Sequence, residues 1–558
     1  MRSVAPLATA GLAAALVALA VAPGTLAAAP GNTTPQRREP AKARVTLTVD
    51  AARGRHTISP LIYGVNFASQ VSGLGKAFRV PVDRWGGNST SRYNYTDNTY
   101  NTGSDWYFEN IVATGDGTLG SLIRTDRKRH TSSLVTVPMI GWVSKDSPRQ
   151  HPFTCSFPKT DFPDQGGFDP YDSNCGDGVH GSTDLTADPS TTSTAVRAGF
   201  DKRMVSHLVS SYGRASHGGV GFYDLDNEPD LWNSTHRDVH PSPLSEGELW
   251  TKSHQTSRAV KSADPTAKVL GPSDWGWCAY YYSAVDDCGS STSDRDAHGG
   301  LPFGAWYLKQ FARAQRNGGT RLLDYFDEHF YPQESGVALS PAGDAATQAL
   351  RLRSTRALWD PHYVDESWIS QANGGRPLAW IRTMRAWVAK YYPGTKIAIS
   401  EYSWGALDSM NGALAEADVL GIFGRERLGL ATLWGPAKAS DPWAYAFRMY
   451  RNYNGHGATF GSRSVRAVSS NQGRLAVYAA TKAPHGALTM MVVNKTGSAI
   501  SAPIRLRHFA AGAKARVFRY SAAHLHKIAR GAAVAVRHGR LTETYPASSI
   551  TLLVLPRR

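Results

Sequence analysis

Eight short apolar runs, each closing on polar or aromatic residues, recur between residues 61 and 435, with helix-compatible stretches between several of them. In order they are LIYGVNF (61–67), VDRWGGN (82–88), LVTVPMIGW (134–142), GFYDLDNEP (221–229), KVLGPSDWG (268–276), LDYFDEHFYP (323–332), KIAISEYSW (396–404) and ATLWG (431–435). Amphipathic segments such as SEGELWTKSHQTSRAVKSADP and RPLAWIRTMRAWVAKYYPG precede the fifth and seventh. Strand and helix alternating eight times predict an α/β fold whose parallel sheet closes into a (β/α)8 TIM-like barrel over residues 58–455. A doubly wound open sheet is the alternative. It ranks lower because no GxGxxG loop follows the first strand.

After about Gly455 the pattern changes to short alternating strands with Gly, Asn and Ser turns, running to SSITLLVLP, which reads as an all-β sandwich over 456–558. RVTLTVDAA alternates in the same way, so residues 44–57 are expected to add an N-terminal strand to it. The chain would then begin and end in its smaller domain.

Residues 1–29 have the layout of a secretory signal: Arg2, the apolar LATAGLAAALVALAVA, then small residues in TLAAAP. A retained anchor is the other reading, but the Pro23-Gly24 break and the alanine run fit cleavage better. Residues 30–43 are polar and proline-rich, a disordered linker. The expected product is therefore extracellular, or periplasmic, with no membrane attachment after cleavage. The four cysteines, Cys155, Cys175, Cys278 and Cys288, form no CxxC pair, which argues against zinc or redox chemistry and for two disulfides. Three connectivities are open; the shortest loops join Cys155 to Cys175 and Cys278 to Cys288. A net charge of +16 raises nucleic acid as a partner, but the basic residues are spread out and no nucleic-acid-binding motif is present.

In such a barrel, reacting groups sit at the C-terminal strand ends. Here those ends carry Arg84, Trp85 and Asn88 on the second run, and Asn227 and Glu228 on the fourth. The sixth carries His329 and Tyr331, the seventh Glu401, Tyr402 and Trp404, and the eighth Trp434. Glu228 and Glu401 each directly follow an apolar run, and the barrel can bring both to one rim. One carboxylic acid to protonate a leaving oxygen and one carboxylate to attack the anomeric carbon are what glycosidic cleavage needs. Aromatic rings at the same ends suit the apolar faces of sugars, and Asn, Arg and His suit their hydroxyls.

At this point a resemblance becomes specific. RWGGNSTSRYNYTDNTYNTGSDWYFENI (84–111), DLDNEPDLWNSTHRDVHP, DYFDEHFYPQ and ISEYSWG resemble glycoside hydrolase family 44, exported endo-β-1,4-glucanases and xyloglucanases, from about residue 44 to the end of the chain. The resemblance implies the same barrel and two-ended sandwich, Glu228 as general acid and base, and Glu401 as nucleophile. By analogy with related barrels Asn227 would bind the 2-hydroxyl of the sugar being cleaved, with Arg84, His329, Tyr331 and Trp434 supporting the nucleophile or the sugar. The run SEYSWG departs from a TEYNYG-like family pattern, so Trp404 is expected to reshape one subsite. The resemblance also implies a structural calcium, for which DPYDSNCGDG offers Asp169, Asp172, Asn174 and Asp177, but Gly176 breaks the regular spacing and the stretch reads as a loop. No cofactor is required and a monomer is expected. A β-mannanase or xylanase on the same barrel, or a polysaccharide-binding protein without catalysis, are the rival readings.

Overall fold

In the computed structural model, which describes residues 44–482 and 486–558, the eight apolar runs supply the strands of one closed parallel barrel. The strands are Gly64–Asn66, Val82–Trp85, Ser132–Val137, Phe222–Leu225, Lys268–Asp274, Tyr325–Glu328, Lys396–Tyr402 and Leu430–Leu433. Each pairs with the next in sequence, and the eighth closes on the first with Thr432 opposite Gly64. Helices Leu119–Arg129, Ala198–Tyr212, Glu246–Ala263, Phe303–Gly318, Trp380–Tyr391, Met410–Glu426 and Pro442–Arg451 follow the later strands. The first crossover departs from the alternation: the Gly- and Ser-rich segment before Pro81 forms only the 3-10 turn Lys76–Phe78. The leader and linker read in residues 1–43 lie outside the described residues, among which no helix is long and apolar enough to cross a membrane.

The period-two geometry of a strand explains how this barrel can be both a core and a site. At the base, Val82, Leu134, Phe222, Leu270, Tyr325, Ala398 and Leu430 pack into one apolar layer. Two residues further along, the same faces present Arg84, Thr136, Asp224, Asp327, Ser400 and Thr432, all fully buried. The interior thus changes from hydrocarbon to ionic within one step. The lower layer supplies burial at roughly 1.5–3 kcal/mol for each large side chain, enough to carry the costly layer above it.

The all-β region is built from both chain ends. Leu47–Asp50 lies between Arg463–Ser469, antiparallel, and Ile500–Arg507, parallel. His56–Thr57 also pairs with Arg463–Ser469, the strand shared between the two faces of the sandwich. Strands Leu475–Thr481, Leu488–Asn494 and Ser549–Leu555 bury both surfaces. Leu475, Val477, Met490, Val492 and Leu553 fill the sandwich core, whereas Tyr478, Met491, Val493, Ile550 and Leu552 pack toward the barrel. The helix between the seventh and eighth barrel strands, Met410–Glu426, receives that second surface and is buried along almost its whole length. Gly421 is needed there, because a Cβ would stand 2.3 Å from the Tyr478 ring.

The cysteines pair over the two short loops, Cys155 with Cys175 and Cys278 with Cys288. Each disulfide staples a connection at the catalytic end of the barrel.

Candidate active site

Regular alternation along Lys396–Tyr402 would aim Ala398 and Ser400 inward and Glu401 outward. Instead the pairing with the eighth strand shifts between Ile399 and Tyr402, placing one extra residue on the seventh strand. This bulge turns Glu401 into the barrel beside Ser400 and leaves Tyr402 outside. The fifth strand has a matching irregularity between Pro272 and Asp274 that directs Ser273 inward. Glu228 lies just past the fourth strand at φ 43°, with Asp226 at φ 70° and Ser273 at φ 64° beside it. Such left-handed conformations of non-glycine residues cost energy and collect at functional sites. The Glu228 amide donates to the Ser273 carbonyl at 3.0 Å, and Pro229 opens the turn that follows.

Arg84 is the hub. Its Nη1 donates to Glu401 Oε1 at 2.5 Å and to Asn66 Oδ1 at 3.1 Å, its Nη2 to Asn227 Oδ1 at 2.8 Å, and its Nε to Asp224 Oδ2 at 3.2 Å. A fully buried guanidinium is tolerable only when its fork is matched in this way. Two glycines in RWGGN make room: a Cβ on Gly86 would stand 2.3 Å from the Arg84 guanidinium carbon, and one on Gly87, at φ 92°, 2.8 Å from the Trp434 ring. Asp226 ties neighbouring strands instead, accepting from the amides of Ile140 and Asn227 at 3.1 and 2.8 Å.

His329 joins the two glutamates. Its Nδ1 lies 2.8 Å from Glu228 Oε1 and 3.7 Å from Glu401 Oε2. Its Nε2 faces Arg84 Nη2 at 3.5 Å, and a guanidinium can only donate, so Nε2 is the bare nitrogen and Nδ1–H donates to Glu228. Burial, reinforced by Arg84, holds this imidazole well below its ordinary pKa, hence neutral. One oxygen of each carboxyl group and a ring nitrogen of His329 all lie within 4.8 Å of one another. Tyr331 donates its hydroxyl to Glu401 Oε2 at 2.6 Å.

The two carboxyl groups differ electrostatically. Burial pushes Glu228 well above the ordinary carboxylate value, and the charges of Glu401 and Asp230 push it further. Burial also raises Glu401, but the guanidinium of Arg84 and the Tyr331 hydroxyl oppose the shift. Glu228 therefore holds its proton to higher pH than Glu401.

Of the other residues expected at the rim, Asn227 donates to Asn88 Oδ1 at 2.9 Å, and Asn88 donates to both oxygens of Asp105. Trp434 is half-buried against Phe67 and borders this group through Gly87. Trp85, Tyr402 and Trp404 are placed elsewhere. Trp85 points out of the barrel onto Tyr93, with ring centroids 4.5 Å apart. Tyr402 donates to Glu416 Oε1 of the helix Met410–Glu426 at 3.0 Å. Trp404 stacks on Phe330 and donates from Nε1 to Ser354 Oγ at 3.1 Å. Strand alternation turns Trp85 outward, the bulge in the seventh strand does the same for Tyr402, and a buried hydrogen bond holds Trp404.

The sequence singles out neither Asn66 nor Asp105, whereas Asp224 and Asp230 stand in the conspicuous acidic run DLDNEPD, and the structure makes Asp224 a barrel-interior partner of Arg84. Asp105 lies within the conspicuous stretch 84–111 but not at a strand end, where the search was directed; burial lifts its carboxyl to about 6. Outside the centre, a carboxyl oxygen of Glu109 and one of Asp172 meet at Sγ of Cys175, half of the Cys155–Cys175 disulfide, and Asp169 lies beside Glu109. Glu109 Oε1 and Asp169 Oδ2 are buried without a hydrogen-bond partner. Burial and the neighbouring Asp169 raise Glu109 to about 9. Buried carboxyl oxygens converging in this way fit a hard cation such as Ca²⁺. Asp177 points elsewhere, accepting from the Val179 amide at 3.0 Å, and the backbone amide of Asn174 donates to Asp172.

A closed (β/α)8 barrel with paired carboxyl groups at its C-terminal mouth, braced by a sandwich, defines a glycoside hydrolase. The profile of glycoside hydrolase family 44 matches residues 99–334. The chain is 31% identical to endoglucanase A of Paenibacillus lautus over 92% of its own length and 73% of that protein's. It superposes on a bifunctional glucanase-xylanase from a metagenome library with a TM-score of 0.87 at 38% identity, covering 92% of this chain and 99% of the other. A Paenibacillus polymyxa xyloglucanase gives a TM-score of 0.76 at 29% identity, with 92% and 100% covered. The chain belongs to glycoside hydrolase family 44, the family of these endoglucanases and xyloglucanases.

Proposed function

We propose that the protein is a secreted, monomeric, retaining endo-β-1,4-glycanase that cleaves internal bonds of cellulose-type glucans or xyloglucan by double displacement. The observation that carries this reading is the closeness of the two carboxyl groups, one oxygen of each lying within 4.8 Å of the other, which is compatible with the retaining spacing. Retaining enzymes hold the pair about 5–5.5 Å apart, and inverting enzymes leave about 6.5–9.5 Å for a water molecule. Protonated Glu228 donates to the leaving oxygen while ionised Glu401 attacks the anomeric carbon, forming a glycosyl ester. Esterification removes the Glu401 charge, the Glu228 pKa falls, and its carboxylate takes a proton from the water that releases the sugar. Arg84 and Tyr331 would keep Glu401 ionised and oriented, and Asn227, Asn88, Asp105 and Trp434 would receive the sugar.

Hydrolysis of xyloglucan or a β-1,4-gluco-oligosaccharide, followed by proton NMR at early times, tests the assignment. The β-anomer is expected first; initial release of the α-anomer rejects the retaining mechanism. A second activity on xylan is favoured by the similarity to the glucanase-xylanase, and product release from xylan and mannan measures it.

Glu109, Asp169 and Asp172 would hold a structural Ca²⁺ whose charge offsets theirs and ties the stapled loop to the barrel; no catalytic step involves it. Export is supported by the leader pattern in residues 1–29.

A further inference from the structure

A cavity of 490 Å³ lies where the last barrel helix meets the sandwich. Helix Pro442–Arg451 runs back from the eighth strand, and beyond its last turn Asn452 donates to the Ala77 carbonyl while Arg451 donates to that of Arg79. Those carbonyls just precede Val82, where the second strand begins. The cavity is therefore at the N-terminal end of the barrel, away from Glu228 and Glu401.

Its lining is cationic. Arg448, Arg516, Lys527 and Arg530 face it, with two imidazoles and, among the described residues, no carboxylate. Among the described residues none of these four side chains takes part in an ion pair, whereas the chain pairs Arg84 with Glu401, Arg92 with Asp238, and Arg519, three residues from Arg516, with Glu543. One wall is aromatic: the rings of Tyr453 and Phe518 pack with centroids 4.7 Å apart. Scattered basic residues on a convex surface need only water. Here they converge on a concave volume, where like charges raise the local potential and favour an anion.

We propose that this cavity binds a carboxylate-bearing saccharide, a uronic acid unit of a polysaccharide. Guanidinium groups match a carboxylate through paired N–H donors, and an aromatic wall suits the apolar face of a sugar ring. The volume accommodates a small ligand of one or two rings. Single-stranded nucleic acid calls for an extended groove with successive stacking platforms, which this compact hollow does not provide. Bound to a uronate on a mixed polymer, the site holds the catalytic mouth near neutral stretches of the same chain, raising their effective concentration. This binding is separable from catalysis, because polygalacturonate, the probe below, has no β-1,4-glucosidic bond.

Affinity electrophoresis of the full chain in gels containing polygalacturonate, with trigalacturonate titrated calorimetrically, tests it. Retardation is expected, with affinity falling roughly tenfold or more in the double variant Arg516→Gln/Arg530→Gln, while xyloglucan hydrolysis is unchanged. No retardation, equal retardation of the double variant, equal competition by inorganic sulfate, or tighter binding of a single-stranded oligonucleotide with the same arginine dependence each overturns the proposal.

Discussion

Glu228 and Glu401 are the same residue type within one hydrogen-bonded cluster, and their proton affinities separate through neighbours alone. Arg84 and Tyr331 touch Glu401, while neutral His329 and the charge beside it face Glu228. Removing the Glu401 charge removes the largest charge-based contribution to the raised Glu228 pKa. In Glu401→Gln, Glu228 should therefore lose its proton at lower pH than in the parent protein, which carbon NMR of labelled glutamate can follow. On the proposed mechanism Glu401 reacts ionised and Glu228 protonated, so kcat/KM should fall on the alkaline side as Glu228 deprotonates, above the ordinary carboxylate range. Glu228→Gln should lower turnover of xyloglucan by about 10²–10⁴-fold. An aryl glycoside whose leaving group needs no proton should be affected far less; equal losses on both substrates would remove Glu228 from the acid role.

At the scale of elements, the bulge in Lys396–Tyr402 shows what periodicity can and cannot supply. The apolar runs marked all eight strands, because burial on both faces is a property of composition. They also marked Glu228 and Glu401 as strand-end carboxylates. Which face a given residue takes depends on one inserted position, and that depends on pairing with a strand some thirty residues away in sequence. Trp85, Tyr402 and Trp404 read as rim residues for the same reason: their position at or near a strand end is legible in the sequence, their direction is not. Asp105 reaches the centre from a loop, where no period exists to reveal it.

The helix Met410–Glu426 adds a test at this scale. Asp418 meets Lys495 Nζ at 2.5 Å, Thr355 Oγ1 at 2.7 Å and the Tyr478 hydroxyl at 2.7 Å, all buried. Lys495→Met leaves that carboxylate without its cation and should cost about 3–5 kcal/mol in denaturant unfolding. The loop carrying Asp169 and Asp172 offers another: chelation should lower the melting temperature of the parent protein and leave that of Glu109→Gln unchanged. Without a cation the raised Glu109 pKa favours the folded state below the ordinary glutamate value, and this contribution is lost as pH rises toward about 9. Chelated protein should thus be more sensitive to alkali than the loaded form.

For the whole molecule, the barrel and sandwich share buried surface rather than a linker. Met491, Val493, Ile550 and Leu552 belong to the same apolar body as the helices Met410–Glu426 and Pro442–Arg451. A chain ended near Gly455 would expose that body to water, so it should be recovered as aggregate, whereas an independently folding barrel would stay soluble and active. The strand Leu47–Asp50 carries a further consequence. Its two partners, Arg463–Ser469 and Ile500–Arg507, are synthesised more than four hundred residues after it. Until then that strand has neither partner, so the smaller domain cannot be completed during synthesis of the larger one. Folding of this enzyme closes like a clasp, last end to first.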